Sequence, residues 1–179
     1  MSKDPVLCVD FDFRYENTVV SRKHYSFHHP IMIIAPYMES LMELCDFPDN
    51  CDEIKVFIME KPNVNILPEY TKDGIHLIIG CRVDREVQKE VRKKVLDRIK
   101  NNTYSKLLPL INSWDDVIDK AITNGSNNWQ LLGSRKPGHE AYEIIRISSF
   151  TKEKKLNSMN SMKWIAFLLS VSKTKTFQY

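Results

Sequence analysis

Val6-Leu7-Cys8-Val9-Asp10-Phe11-Asp12-Phe13 (VLCVDFDF) decides how the rest of the chain is read. The stretch alternates and is rich in β-formers, which predicts a strand beginning almost at the first residue. A strand's period of two puts Asp10 and Asp12 on one face and the aromatic and aliphatic residues on the other. Two neighbouring carboxylates in an apolar strand repel each other and lose solvation unless a cation sits between them. Mg²⁺ or Mn²⁺ suits such oxygen ligands. The same pattern also describes an edge strand whose polar face lies in water, and on these residues alone both readings stand.

Working outward, residues 30–45 (PIMIIAPYMESLMELC) carry apolar side chains at helical spacing. Pro30 suits a first helical turn, and Pro36 is a point of kinking or delay. Two further strands are predicted at 54–59 (IKVFIM) and 75–79 (IHLII), separated by a Pro- and Asn-containing loop that ends in Lys72-Asp73-Gly74. Between residues 84 and 100 the period changes: Val87, Val91, Val95 and Ile99 recur at four-residue steps among charged residues. That is an amphipathic helix with Asp84 as N-cap, whose basic face reads as a solvated surface or as a contact to a template backbone.

After the apolar segment LLPLINSW come Val117-Ile118-Asp119 and a polar turn. Two strand-like runs, 128–132 and 140–147, flank Gly133-Ser134-Arg135-Lys136-Pro137-Gly138, which predicts a hairpin with an exposed basic tip. Residues 150–163 read as a flexible connector, and MKWIAFLLSV as a last strand or helix. No internal repeat is apparent. Strands and helices interleave without a regular parallel βαβ rhythm, so the expected class is α+β.

With 179 residues, 42% of them hydrophobic, the chain can build one core and not two. We expect one domain, with 1–150 catalytic and 151–179 supplying a connector and C-terminal element. Balanced charge, 26 Lys+Arg against 23 Asp+Glu, gives a formal +3 that does not by itself argue for nucleic acid. Cys8, Cys45, Cys51 and Cys81 show no CxxC spacing, pointing to reduced intracellular thiols and against a structural zinc. The N-terminus has no apolar signal region, and the longest apolar run, 164–169, falls far short of the roughly 18 residues a bilayer span needs. A soluble protein with no membrane partner is expected.

Other chemistry-bearing residues are weak one by one. His76 lies mid-strand, where a histidine is more often a hydrogen-bonded core residue than a working one, although Gly74 two positions earlier leaves space for a ligand at its face. Asp119 ends an apolar run and reads equally as a turn starter or cap. The turn at 133–138 has the G-x-x-x-x-G half of a phosphate loop, but His139-Glu140 stand where Lys-Ser/Thr is required. His139-Glu140 also begins an HExxH zinc motif, but Glu143 replaces the second His. What survives is a tight turn whose hydroxyl, backbone amides and two cations suit a triphosphate, or else a plain surface hairpin. His24, His28 and His29 contain no His-x-His pair, and a metal role for them is disfavoured.

Taken in order, VDFDFRY, KDGIHLIIG, VIDKAI and NNWQLLGSRKPG resemble the primase-polymerase domain of the primase-helicases of large nucleocytoplasmic DNA viruses, in the archaeo-eukaryotic primase superfamily. The resemblance covers roughly residues 7 to 147. It implies an RRM-like antiparallel sheet joined to a small α/β unit. Asp10 and Asp12 match the family's acidic pair, Gly74-Ile75-His76 its small-x-His motif, and Ile118-Asp119 its hydrophobic-Asp motif. The resemblance also implies two-metal phosphoryl transfer, with Asp10, Asp12 and Asp119 as catalytic residues holding Mg²⁺ or Mn²⁺ ions about 4 Å apart. Lys72, His76, Ser134, Arg135 and Lys136 would bind the nucleotide. Expected partners are a single-stranded DNA template, nucleoside triphosphates, and a helicase module or other replication proteins, at the site of viral replication in cytoplasm or nucleus. The family usually has sequence before the acidic strand and a helicase after the primase. This chain starts at the strand and holds no complete Walker A, which implies an isolated domain, a split gene or a shortened copy. A silent nucleotide-binding module and a metal-dependent nuclease are the competing expectations.

Overall fold

The computed structural model describes residues 4–18, 29–47, 51, 53–101, 108–126, 129–130, 132–153 and 163–167. In chain order these form β1 (Val6–Tyr15), α1 (His29–Leu44), β2 (Glu53–Glu60), β3 (Asn65–Ile66), β4 (Thr71–Arg82), α2 (Arg85–Lys100), α3 (Trp114–Val117), α4 (Lys120–Asn124), β5 (Glu143–Glu153) and β6 (Lys163–Phe167). Every strand pair among the described residues is antiparallel. The sheet order is β1-β4-β2-β5-β6, with the two-residue β3 added to β4. The α+β expectation therefore holds.

β1 alternates between half-buried and buried at all of its positions, as its sequence demands. Phe11 and Phe13 are fully buried, their rings stacked with centroids 5.8 Å apart. Burying each ring contributes on the order of 1.5–3 kcal/mol. Tyr37 of α1 meets Phe11 edge-on at 6.0 Å, and Val91, Val95 and Ile99 of α2 join the same core. Both long helices thus cover one sheet face, and the face carrying Asp10 and Asp12 is left for chemistry.

Asp84 caps α2, its Oδ1 accepting from the Val87 amide at 2.8 Å. Pro36 lies inside α1 without ending it; the Ser40 hydroxyl donates to the Pro36 carbonyl at 2.7 Å. Most cations of α2 are paired within the protein. Arg98 contacts Glu39, Glu43 and Ser40, Lys94 contacts Glu43, and Lys89 and Lys93 pair with Glu86 and Glu90. Its basic face is a structural surface rather than a row of uncommitted charges.

Three expectations need correction. Lys72-Asp73-Gly74 does not close a loop: β4 starts at Thr71, because β1 pairs it residue for residue from Arg14↔Lys72 to Asp10↔His76. Tertiary pairing overrides the poor β propensity of Lys, Asp and Gly. The segment around 133–138 is not flanked by two strands: among the described residues none lies between α4 and the turn, and β5 starts only at Glu143. Trp129 and Gln130 are turned toward a cavity instead of a ladder; residues 128 and 131 lie outside the described residues. Finally, the proposed connector begins in strand: β5 runs on through Glu153 and β6 extends the sheet. Residues 154–162 lie outside the described residues, as do His24 and His28.

The four cysteines are free thiols. Burial pushes Cys81 up to about 12, with Cys45 and Cys51 adding to the effect, and raises Cys8 against the pull of Arg85. Among the described residues no helix is long and apolar enough to cross a membrane.

Candidate active site

Because β5 adds to the β2 side of the sheet, β1 is an edge strand. Its outer border is closed by residues 111–119. The Ile111 amide donates to the Arg14 carbonyl at 2.9 Å, and the Arg14 amide donates to Asn112 Oδ1 at 3.1 Å. Asn112 Nδ2 donates to the Asp12 carbonyl at 2.9 Å, and the Asp119 amide donates to the Asp10 carbonyl at 3.0 Å. Asn112 therefore uses its side-chain amide as a substitute for a strand's backbone. The last of these bonds, with a bridge between Phe11 and Ile118, sets Asp119 beside the acidic pair.

Asp119 is held from behind as well. Arg92 of α2 donates through Nε and Nη2 to the Ile118 carbonyl at 3.0 and 2.7 Å, and Arg85 Nη1 donates to the Ile122 carbonyl at 3.0 Å. Asp119 Oδ1 accepts from the Ala121 amide at 2.8 Å, so it is also the N-cap of α4. The cap reading of Asp119 is borne out, and the same residue lines the cavity described below.

Register builds the rest. Directly opposed antiparallel residues share a face, so Asp10↔His76 and Asp12↔Gly74 bring the histidine and a glycine to the acidic side. His76 Nε2 lies 3.4 Å from Asp10 Oδ2, and its ring stacks on Tyr142 at 3.6 Å and on Trp129 at 4.8 Å. Asp12 Oδ2 accepts from Lys72 Nζ at 2.8 Å and faces Arg14 at 3.5 Å. A cavity of about 220 Å³ is lined by Asp10, Asp12, Asp119, His76, Lys72 and Lys136, and by Lys61, Trp129, Gln130 and Tyr142.

Gly74 does leave space, but Tyr142 takes it: a Cβ there would lie 2.6 Å from the Tyr142 hydroxyl oxygen. We predict that Gly74→Ala shifts Tyr142 and costs about 1–3 kcal/mol by overpacking. Gly74→Ala/Tyr142→Phe should recover part of this in denaturant unfolding, because the clashing atom is gone. Equal stabilities for the single and double variants would refute the contact.

Of the residues expected in the basic turn, Lys136 lines the cavity, whereas Ser134 and Arg135 are exposed and do not line it. The turn is shaped by Gly133 and Gly138, both at positive φ, where glycine carries no strain. It is closed by the Gly133 amide donating to the Tyr142 carbonyl and by Gln130 Nε2 donating to the Ser134 carbonyl. Both Glu140 oxygens accept from Asn63.

Three buried polar atoms on cavity-lining residues have no hydrogen-bond partner among the described residues: Asp12 Oδ1, His76 Nδ1 and Trp129 Nε1. Unsatisfied groups of this kind are costly unless a ligand completes them. The three carboxylates are hard oxygen donors suited to Mg²⁺ or Mn²⁺. As they stand, however, no three His, Cys, Asp or Glu side chains among the described residues form a ready metal cluster, and Asp12 is engaged by Lys72.

Sequence reading missed Lys61, Tyr142, Trp129 as a stacking partner, and Asn112 as an edge stitch. Lys61 Nζ lies 5.2 Å from the Tyr142 ring centroid. Burial, then Lys136 and Lys72, push its ammonium below the ordinary lysine value, against Glu140 and Asp10. Among known families, the model described as the C962R protein N-terminal AEP domain matches residues 1–148. No curated protein matches the chain.

Proposed function

Since the chain belongs to the archaeo-eukaryotic primase (AEP) family represented by the C962R protein N-terminal domain, we propose that it is a DNA-templated nucleotidyltransferase. In this reading it makes primers or extends them during DNA replication. The observation that carries the reading is the Asp119-to-Asp10 backbone bond, which gathers three carboxylates from two distant segments at one cavity with His76 and three lysines.

Roles follow from position. Asp10, Asp12 and Asp119 would hold Mg²⁺ or Mn²⁺, and the orphaned Asp12 Oδ1 is a donor already prepared for a cation. The bound ions would supply Lewis-acid activation of a 3′-hydroxyl and neutralise charge at the leaving pyrophosphate. Lys72, now on Asp12, would turn to a phosphate oxygen once the carboxylate is engaged. His76 would donate to the triphosphate, its ring orientation set by Tyr142 and by Asp10. Lys136 would bind a further phosphate oxygen, with Ser134 and Arg135 reaching the nucleotide or template from the rim. Such chemistry is largely positioning and charge neutralisation, so few side chains suffice.

The test incubates single-stranded template, labelled nucleotides and Mn²⁺ with wild type and with Asp10→Ala/Asp12→Ala. Product is expected from wild type alone; product from both, or from neither, overturns the reading. A second reading, a nucleotide-binding module without transfer, draws on the Asp12–Lys72 pair, in which an ammonium engages one carboxylate oxygen, Oδ2, without metal. It requires nucleotide binding that persists in EDTA and survives Asp10→Asn.

A further inference from the structure

Asp119 stands on a stretch of chain with little regular structure of its own. α3 has four residues and α4 five, and Asp119 lies between them. Helices that short leave most of their carbonyls without intrahelical partners, so the groups on either side of Asp119 must be satisfied from elsewhere. α2 satisfies them. Arg85 and Arg92 are seven residues apart, two helical turns, and so project from one side of α2. The helix that carries them is anchored, because Val91 and Val95 are fully buried in the core and Asp84 caps its start.

Each arginine takes one flank of Asp119. On the N-terminal side, Nε and Nη2 of Arg92 both donate to the Ile118 carbonyl, and Nη2 also reaches the Asp115 carbonyl at 2.8 Å and Asp115 Oδ1 at 3.2 Å. The Arg92 side chain is only 13% exposed. The Ile118 carbonyl and the Asp119 amide belong to one peptide unit, and that amide donates to the Asp10 carbonyl. The unit is thus gripped at both polar ends, by α2 at its oxygen and by β1 at its hydrogen. On the C-terminal side, Arg85 Nη1 donates to the Ile122 and Thr123 carbonyls at 3.0 and 3.3 Å. Its guanidinium packs on Gly125, where a Cβ would lie 2.9 Å from Cζ. Neither arginine lines the carboxylate cavity.

We propose that Arg92, supported by Arg85, is a positioning residue: through the 118–119 peptide it sets the Asp119 carboxylate where that group holds a divalent cation, and it touches neither the cation nor the nucleotide. The planar fork is what the task needs. A lysine keeps the charge and the aliphatic stem, but one ammonium cannot serve the Ile118 and Asp115 carbonyls as a guanidinium does. Residues that orient a metal ligand are worth about 10–100-fold in metal affinity or activity. The proposal deepens, and rests on, the nucleotidyltransferase reading above, and its test keeps the two apart.

Mn²⁺ alone is titrated into the full chain, with the free ion read by electron paramagnetic resonance, alongside the template assay. Arg92→Lys should weaken Mn²⁺ binding roughly tenfold or more while its melting curve overlays that of wild type. In an Asp119→Asn background the same substitution should change Mn²⁺ binding about twofold at most, because the carboxylate that Arg92 positions has lost its charge. An arginine that only stabilised the fold would instead lower the melting temperature and move both backgrounds alike. Should Arg92→Lys unfold, Arg85→Lys reads the same loss from the other flank. Unchanged Mn²⁺ affinity in Arg92→Lys, equal losses in the two backgrounds, or no Mn²⁺ binding by wild type overturns the proposal whether or not product forms. Binding that depends on both Arg92 and Asp119 without any product would instead defeat the transfer reading and leave the positioning role standing.

Discussion

Asp119→Asn is expected to lower nucleotide transfer at least about a hundredfold while leaving the melting temperature almost unchanged. The substitution keeps what Asp119 does for the fold. Asn accepts the same bond from the Ala121 amide and is as good an N-cap as Asp. The backbone bond from residue 119 to the Asp10 carbonyl does not involve the side chain. What disappears is one negative charge at the proposed cation site. Losing one electrostatic contact of that kind costs about 10²–10³ in turnover, and we expect at least the lower figure. Primer extension and thermal unfolding on the same preparation decide it. Retained activity would reduce Asp119 to a helix cap and remove the third carboxylate from the mechanism.

Phe11→Ala should have the opposite profile, with a large loss of stability. Phe11 is 0% exposed, stacks on Phe13, meets Tyr37 edge-on, opposes Ile75 in β4 and bridges to Ile118. Truncating such a ring leaves a cavity and costs about 3–5 kcal/mol, against total stabilities of about 5–15 kcal/mol for domains in general. Guanidinium unfolding midpoints should fall accordingly. A loss below about 1 kcal/mol would mean that the core collapses around the gap and that β1 is not held as described. The two substitutions lie on one hydrogen-bonded corner, so their separation would divide the site's chemistry from its scaffold.

Legibility followed the range of the interactions. VLCVDFDF displayed β1 because alternation is a local signal, and the four-residue valine spacing with Asp84 displayed α2 for the same reason. The extra residues of β4 at Thr71 and Lys72 were invisible, since only pairing with Tyr15 and Arg14 makes them strand. Asp10, Asp12, His76, Asp119, Lys72 and Lys136 do come to one cavity, whereas Ser134 and Arg135 stay outside its lining. No spacing rule distinguishes these within one basic turn. Lys61 carried no motif at all and becomes visible only when Lys72 and Lys136 are seen beside it. Asn112 sits in a plain apolar segment, and its role exists only because β1 has a border to close.

That border has a consequence for how the molecule meets its own kind. A strand at the rim of a sheet ordinarily invites another chain to dock alongside it, and the invitation consists of idle amides and carbonyls. Here Ile111, Asn112 and Asp119 occupy those groups at Asp10, Asp12 and Arg14. The cleft can thus lie open at the rim of the sheet while its strand offers few idle groups to neighbouring copies, and crowding should not drive growth of fibrils from this side.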